Sequence, residues 1–294
     1  MKKIFNNEKI FIAGANGMVG KSIIRRLLSQ GYCNSKEEIL TPSRSELDLS
    51  NYENVKEWFT RNKPSIVIFA AAKVGGIIAN KLQPAEFLLE NIKIQTNVIE
   101  ISFKNNVKKF LFLGSSCIYP KYAKQPIKEE YLLSGKLEST NQWYAIAKIT
   151  GIKLCESLKL QYGFEAFSLM PTNLYGPYDN YAVNRSHVLP AFIRRFSDAV
   201  NNKDKIVTCW GDGSPLREFL HVDDMASAIL FTLENWNQIK SNENKLDKNI
   251  PFLNVGSGEE ISIFKLAEKI ARIYGFEGKI EWDINKPNGT PRKR

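Results

Sequence analysis

The chain has 294 residues, 43% hydrophobic and 24% charged, with 41 Lys and Arg against 31 Asp and Glu for a formal net charge of +10. That length exceeds one usual core and predicts one large or two unequal domains, while the charge reads either as an anionic partner, such as nucleic acid, a membrane surface or a phosphorylated metabolite, or equally as a merely solvated surface. No nucleic-acid-binding motif of the usual kinds is present, no apolar run approaches membrane-spanning length, and Asn6-Asn7-Glu8-Lys9 interrupts any signal-like core. The four scattered cysteines and two histidines argue against a disulfide framework or a metal centre, and a cytoplasmic location is the default expectation.

Ile10-Phe11-Ile12-Ala13 is a short apolar run followed at once by Gly14-Ala15-Asn16-Gly17-Met18-Val19-Gly20, and Lys21 to Ser29 then has helical spacing. Strand, glycine turn and helix in this order predict a dinucleotide site: the glycines allow close backbone approach to a pyrophosphate, and a helix amino terminus favours anions. The apolar pair Ile39-Leu40 precedes Thr41-Pro42-Ser43-Arg44, at the place where preference for a cofactor lacking the 2′-phosphate calls for an acidic residue. Arg44 can instead pair bidentately with a phosphate, which favours NADP(H).

Val55-Trp58-Phe59 and Phe87-Leu88-Ile92 carry apolar helix faces, and Ser65 to Ala72 is predicted as a buried strand whose alanines Ala70, Ala71 and Ala72 let a cofactor come close. Lys109 to Leu113 is another buried parallel strand, and at its carboxyl end Ser115 and Cys117 stand two residues apart, on one side of an extended backbone. Tyr144-Ala145-Ile146-Ala147-Lys148 places a phenol and an ammonium on one helical face. The ammonium is expected to draw the phenol pKa down towards the range of a general acid. Strands alternating with helices to about position 170 predict an α/β protein with a Rossmann-type doubly wound parallel sheet.

Beyond that point Pro171, Gly176-Pro177, Gly211, Gly213 and Pro215 punctuate the chain, and the polar stretch 235–249 is predicted as a loop. Apolar helices near Val188 to Phe196 and Ile263 to Tyr274 are enough for a smaller α/β lobe. The expected division is a cofactor domain over 1–170 with about 218–236, and a mostly C-terminal substrate lobe over 171–217 with 237–294. The charged end, Lys286 to Arg294, is predicted as loop.

A dinucleotide turn, a serine at a strand end and the Tyr144/Lys148 pair together resemble the extended short-chain dehydrogenase/reductase family. Ala71-Ala72-Lys73-Val74-Gly75-Gly76, Leu113 to Pro120, Pro171-Thr172-Asn173-Leu174-Tyr175-Gly176-Pro177 and Arg217-Glu218-Phe219-Leu220-His221-Val222-Asp223-Asp224 are similar to the branch that acts on GDP-4-keto-6-deoxy-D-mannose, a likeness running from Ile10 to Lys293. The resemblance implies 3,5-epimerisation followed by reduction of the C4 ketone with NADPH, in one site of a homodimer. By position, Ser115 would polarise the ketone, Tyr144 would transfer the proton, and Lys148 would also hold the nicotinamide ribose. Cys117 and His187 would be the epimerising acid/base pair, which suits groups titrating near neutrality on opposite faces of a ring. Pro171, Thr172, Asn173 and Leu174 would line the nicotinamide side; Arg195, Trp210 and Arg217, with Asp283 and Lys293, would take the nucleotide and sugar. His221 is expected to be structural.

Two departures stand out. Asn16 occupies a position where many such enzymes carry a basic residue, which leaves Arg44 more of the 2′-phosphate, and the relatives continue past Thr290-Pro291-Arg292-Lys293 into further helical sequence, so the chain is expected to be short there. The rival readings are a sister enzyme that epimerises one centre or reduces another GDP-deoxyhexose, a catalytically silent NADPH-binding regulator, and, on charge alone, a nucleic-acid binder.

Overall fold

A computed structural model of the chain describes residues 8–33, 38–183, 186–237 and 252–294. Its centre is a parallel sheet of β1 (Ile10–Ala13), β2 (Ile39–Leu40), β3 (Ile66–Phe69), β4 (Lys109–Leu113), β5 (Ala166–Pro171) and a later strand, Phe252–Val255, in the order β2-β1-β3-β4-β5 followed by Phe252–Val255. The strands are apolar without alternation because both faces are covered. Phe11, Phe69, Phe110 and Phe112 point into one core with α2 (Tyr52–Asn62), α4 (Pro84–Lys104) and α5 (Gln142–Tyr162), with the short α3 (Ile77–Leu82) beside them. Ile10, Ile12, Leu111 and Leu113 point the other way, against α1 (Met18–Ser29) and α7 (Val222–Glu234). Chain direction across the sheet reverses between β1 and β3, so the crevice at their carboxyl ends is a topological switch point where such sheets bind ligands.

The remaining elements are β6 (Asn173–Tyr175), α6 (Val188–Asn202), β7 (Ile206–Trp210), β8 (Leu216–His221), β9 (the Phe252–Val255 strand), β10 (Glu260–Ser262), α8 (Ile263–Tyr274), β11 (Lys279–Asp283) and β12 (Arg292–Lys293). β8 pairs with β6, β10 and β12, and β7 pairs with β11. Phe192, Phe196 and Ala199 repeat at helical spacing along α6 and meet Leu266 and Ile270 of α8 in a separate core.

Three expectations are corrected. The strand expected over 65–72 is regular only over Ile66–Phe69, because Ala70 to Ala72 leave the sheet to line a cleft. The predicted loop at the end contains β12, which adds to β8 in parallel. Ser115 and Cys117 do not share an extended run: Ser116–Ile118 is a single 3-10 turn, capped by Ser115, whose hydroxyl accepts from the Cys117 N–H at 3.3 Å. Within the stretch expected as loop, Asn235 ends α7 and Trp236 is buried, donating its indole N–H to Glu165 at 3.0 Å; 238–251 lies outside the described residues.

Candidate active site

Above the carboxyl ends of β1, β3 and β4 lies an open cleft of about 1320 Å³. Its floor on one side is the glycine turn. Gly14 has φ +85°, and a Cβ there would stand 2.8 Å from the Ala71 nitrogen; at Gly20 a Cβ would stand 2.3 Å from the Gly14 oxygen. The turn therefore packs directly on the end of β3, with the Gly17 N–H donating to the Gly14 carbonyl at 3.0 Å. α1 begins at Gly17 with no side-chain cap and no acidic residue in its first turn, which leaves its first N–H groups free to meet an anion. A cradle that excludes even a methyl group, ending at an uncapped helix, fits a dinucleotide pyrophosphate. All of Gly14 to Gly20 line the cleft, as do Ala71 and the exposed Arg44.

On the other side, α5 brings Tyr144 and Lys148 to the end of β4. Lys148 is buried and donates to the Leu113 carbonyl at 2.7 Å, with its ammonium 4.8 Å from the Phe112 ring centroid and 5.9 Å from that of Tyr144. Burial lowers its pKa from the ordinary 10.5 to about 8. The expected lowering of the Tyr144 pKa by Lys148 does not occur. Burial pushes the phenol up, with Cys117 adding to the effect, while the ammonium is committed to a carbonyl. Tyr144 is thus a protonated donor at neutral pH.

Cys117 is buried at the cleft wall, and desolvation raises its thiol against the opposing pull of Lys293, Ser115 and Lys148. His187 is the N-cap residue of α6, but its side chain makes no capping hydrogen bond. Its ring keeps accessible surface because the cleft is open, yet the surrounding protein holds it below the ordinary imidazole value; Asp179 acts upward and Lys293 downward. At neutral pH the two groups are a protonated thiol and a neutral imidazole.

Arg195 donates to the Thr208 carbonyl at 2.9 Å and lies 5.6 Å from the Trp210 ring, and burial depresses its guanidinium. Arg217 donates to the Leu216 carbonyl at 2.8 Å and is lowered by burial to about 10, still a cation at neutral pH. Lys293 pairs in register with Arg217 across β12 and β8. These residues all border the same cleft, together with Pro171, Thr172, Asn173 and Leu174. Asp283 does not: it closes a turn by accepting from the Asn285 N–H at 3.1 Å, although its register partner Trp210 is in the cleft. His221 accepts from the Asp223 N–H at 3.2 Å and caps α7. Asp179 and Glu138 also line the cleft and carried no sequence signal, since a lone acidic residue in a turn has no spacing to mark it.

A sequence model of the NAD dependent epimerase/dehydratase family matches residues 10–250. The chain belongs to this family. Among its relatives, GDP-L-fucose synthase 1 of Arabidopsis thaliana is 52% identical over 287 residues, covering 98% of this chain and 84% of that one. The GDP-L-fucose synthase of Escherichia coli K12 is 48% identical over 291 residues, covering 98% and 88%. The NADP-bound structure of a GDP-mannoheptose C4 reductase from Campylobacter jejuni superposes with a TM-score of 0.84 at 36% identity, covering 100% and 90%. In this epimerase/dehydratase chain the fold and the cleft sit where an open α/β sheet binds its cofactor.

Proposed function

We propose that the chain converts GDP-4-keto-6-deoxy-D-mannose to GDP-L-fucose, by epimerisation at C3 and C5 followed by reduction of the C4 ketone with NADPH. The observation that carries this reading is the meeting of two constellations in one cleft: Ser115, Tyr144 and Lys148 of a ketoreductase, and Cys117 with His187, which reduction alone would not need. The full-length likeness to two GDP-L-fucose synthases supports it.

C3 and C5 both flank the ketone, so loss of either proton leaves an enolate on O4. Ser115 and Tyr144 stabilise that charge by hydrogen bonds. Cys117 and His187 between them hold one mobile proton and one free lone pair, as removal from one face and return to the other require. When bound, NADPH supplies the hydride that reaches C4. Tyr144 then gives its proton to O4, and Lys148 holds the phenol's surroundings cationic as that charge develops. Arg195, Arg217 and Lys293 grip the diphosphate, and Trp210 offers a ring face to the nucleotide. Asp283 drops out of direct contact in this account, Arg44 takes the 2′-phosphate, and the active species is a cytoplasmic homodimer with its cofactor on the six-stranded sheet.

A rival remains in reduction of another GDP-sugar, as the name of the C. jejuni relative describes. Incubation with GDP-4-keto-6-deoxymannose and NADPH in heavy water separates the two: GDP-L-fucose labelled at C3 and C5 is expected, and an unlabelled product would overturn the reading. In the same assay Tyr144→Phe should abolish NADPH oxidation and leave cofactor binding nearly intact.

A further inference from the structure

Glu138 is a buried carboxylate, 4% exposed, in the wall of a cleft otherwise rich in cations. A bare carboxylate there opposes an anionic substrate, so its presence calls for a physical reason. Its Oε2 lies 2.9 Å from the Lys121 ammonium, and its Oε1 accepts from the Thr140 N–H at 3.2 Å. The Glu138 carbonyl accepts from the N–H of Asn141, the residue that starts α5, at 3.2 Å, and the Lys121 N–H donates to the Lys136 carbonyl at 2.9 Å. Residues 115–121 and 136–144 are thereby joined twice, once through backbone and once through an ion pair. The first segment carries Ser115 and Cys117; the second leads into Tyr144.

The second observation concerns β8 and β12. Residues in register on neighbouring strands present side chains to one face, so Arg217 and Lys293 stand side by side, an arrangement of like charges that destabilises unless an anion offsets it. We propose that Glu138 is a positioning residue: it clamps the Cys117 segment to the Tyr144 segment and is the fixed counter-charge that holds Arg217 and Lys293 together as cations before any substrate arrives. Its field acts on both, favouring their charged forms. Lys293 in turn acts on Cys117 and on His187. The groups coupled electrostatically or by hydrogen bond to the thiol are Lys293, Lys148, Ser115 and Tyr144; those coupled to Lys293 are Cys117, Arg217, His187 and Glu138. Glu138 therefore governs the acid/base pair through Lys293.

This rests on the epimerase-reductase reading for its catalytic consequence but can be tested apart from it. The rate of Cys117 alkylation by iodoacetamide is followed against pH, with peptide mass spectrometry separating it from Cys33, Cys155 and Cys209. In Glu138→Gln, which is nearly isosteric, Lys293 loses the charge that favours its cationic form and gives up its proton at lower pH; its pull on the thiol goes with it, so the thiol's midpoint should move up, slowing alkylation about threefold to tenfold at fixed pH. Glu138→Asp should restore most of it. In a Lys293→Met background, which also removes the uncompensated cation that could unfold the single variant, Glu138→Gln should leave the midpoint where Lys293→Met alone puts it. An unmoved midpoint in the single variant, or an equal shift in both backgrounds, overturns the proposal. With NADP+ bound, so that no hydride is available, Glu138→Gln should slow deuterium uptake at C3 and C5 at least fivefold, with Glu138→Asp recovering it. Equal loss in both variants together with a parallel drop in NADPH affinity would mean a merely structural role. Absence of uptake in the unaltered protein would instead count against the proposed reaction, leaving the alkylation result to decide on Glu138.

Discussion

Replacing Lys148 with Met should make the protein more tolerant of denaturant near neutral pH relative to its tolerance in alkali, at the expense of all reduction. The buried ammonium titrates at about 8 in the folded chain against an ordinary 10.5. Below pH 8 both folded and unfolded chains carry the proton, and the folded state bears the full desolvation cost, about 3 kcal/mol from that gap. Between pH 8 and 10.5 the unfolded chain binds the proton that the folded chain has lost, so stability of the unaltered protein rises with pH. By pH 10 the remaining cost is under about 1 kcal/mol. Methionine removes the titration entirely but leaves the Leu113 carbonyl without its 2.7 Å partner, a penalty of about 1–3 kcal/mol that is the same at every pH. The stability of Lys148→Met minus that of the unaltered protein should therefore fall by about 2.5 kcal/mol between pH 7 and pH 10. Urea denaturation of both proteins at the two pH values measures it. A difference that stays constant would show that Lys148 is not a desolvated cation in the folded state.

Two further outcomes are expected. Gly20→Ala places a Cβ 2.3 Å from the Gly14 oxygen and 2.5 Å from the Ala15 Cα, so the turn must open; NADPH Kd should rise at least tenfold, about 1.4 kcal/mol, in a fluorescence titration, and an unchanged Kd would refute the cradle. Because the protein around His187 holds its imidazole below the ordinary 6.5, the acid limb of deuterium exchange should lie below pH 6.5 as falling pH protonates the ring, and it should vanish in His187→Gln; a limb above 6.5 contradicts the assignment.

The parts of this molecule readable from sequence are those whose cause is local. Gly14, Gly17 and Gly20 mark a turn because their spacing and the flanking apolar runs need nothing from elsewhere in the chain, and Tyr144 and Lys148 share a face by helical geometry alone. The electrostatics were not readable. Spacing says that an ammonium is near a phenol, but only the fold says that the ammonium is bonded to Leu113 and that burial, with Cys117, pushes Tyr144 up. The Ser115 to Cys117 geometry failed for a similar reason: a serine hydroxyl that accepts from the N–H two residues on favours a tight turn over an extended strand. Lys293 and Asp283 both stand in register with cleft residues, Arg217 and Trp210, yet only Lys293 lines the cleft, because the Asp283 carboxylate turns back to the Asn285 N–H, a local contact that spacing does not show. Along β8, alternation turns Arg217 and Phe219 to the cleft while Glu218 is buried, bonded to the Gly258 N–H at 2.6 Å.

The short pairing of β6 with β8 has a consequence for what the cleft accepts. The Thr172 hydroxyl and the Asn173 amide both donate to one acceptor, the Glu218 carbonyl, at 3.0 and 2.8 Å, and Arg217 is the next residue along the chain. In the proposed reaction, the wall beside the nicotinamide and the cation for the diphosphate would thus be two marks on a single stiff ruler. A sugar whose reacting carbon lay at the wrong distance from its diphosphate would miss one mark whenever it met the other, so the fold would measure its substrate before any side chain inspected a hydroxyl.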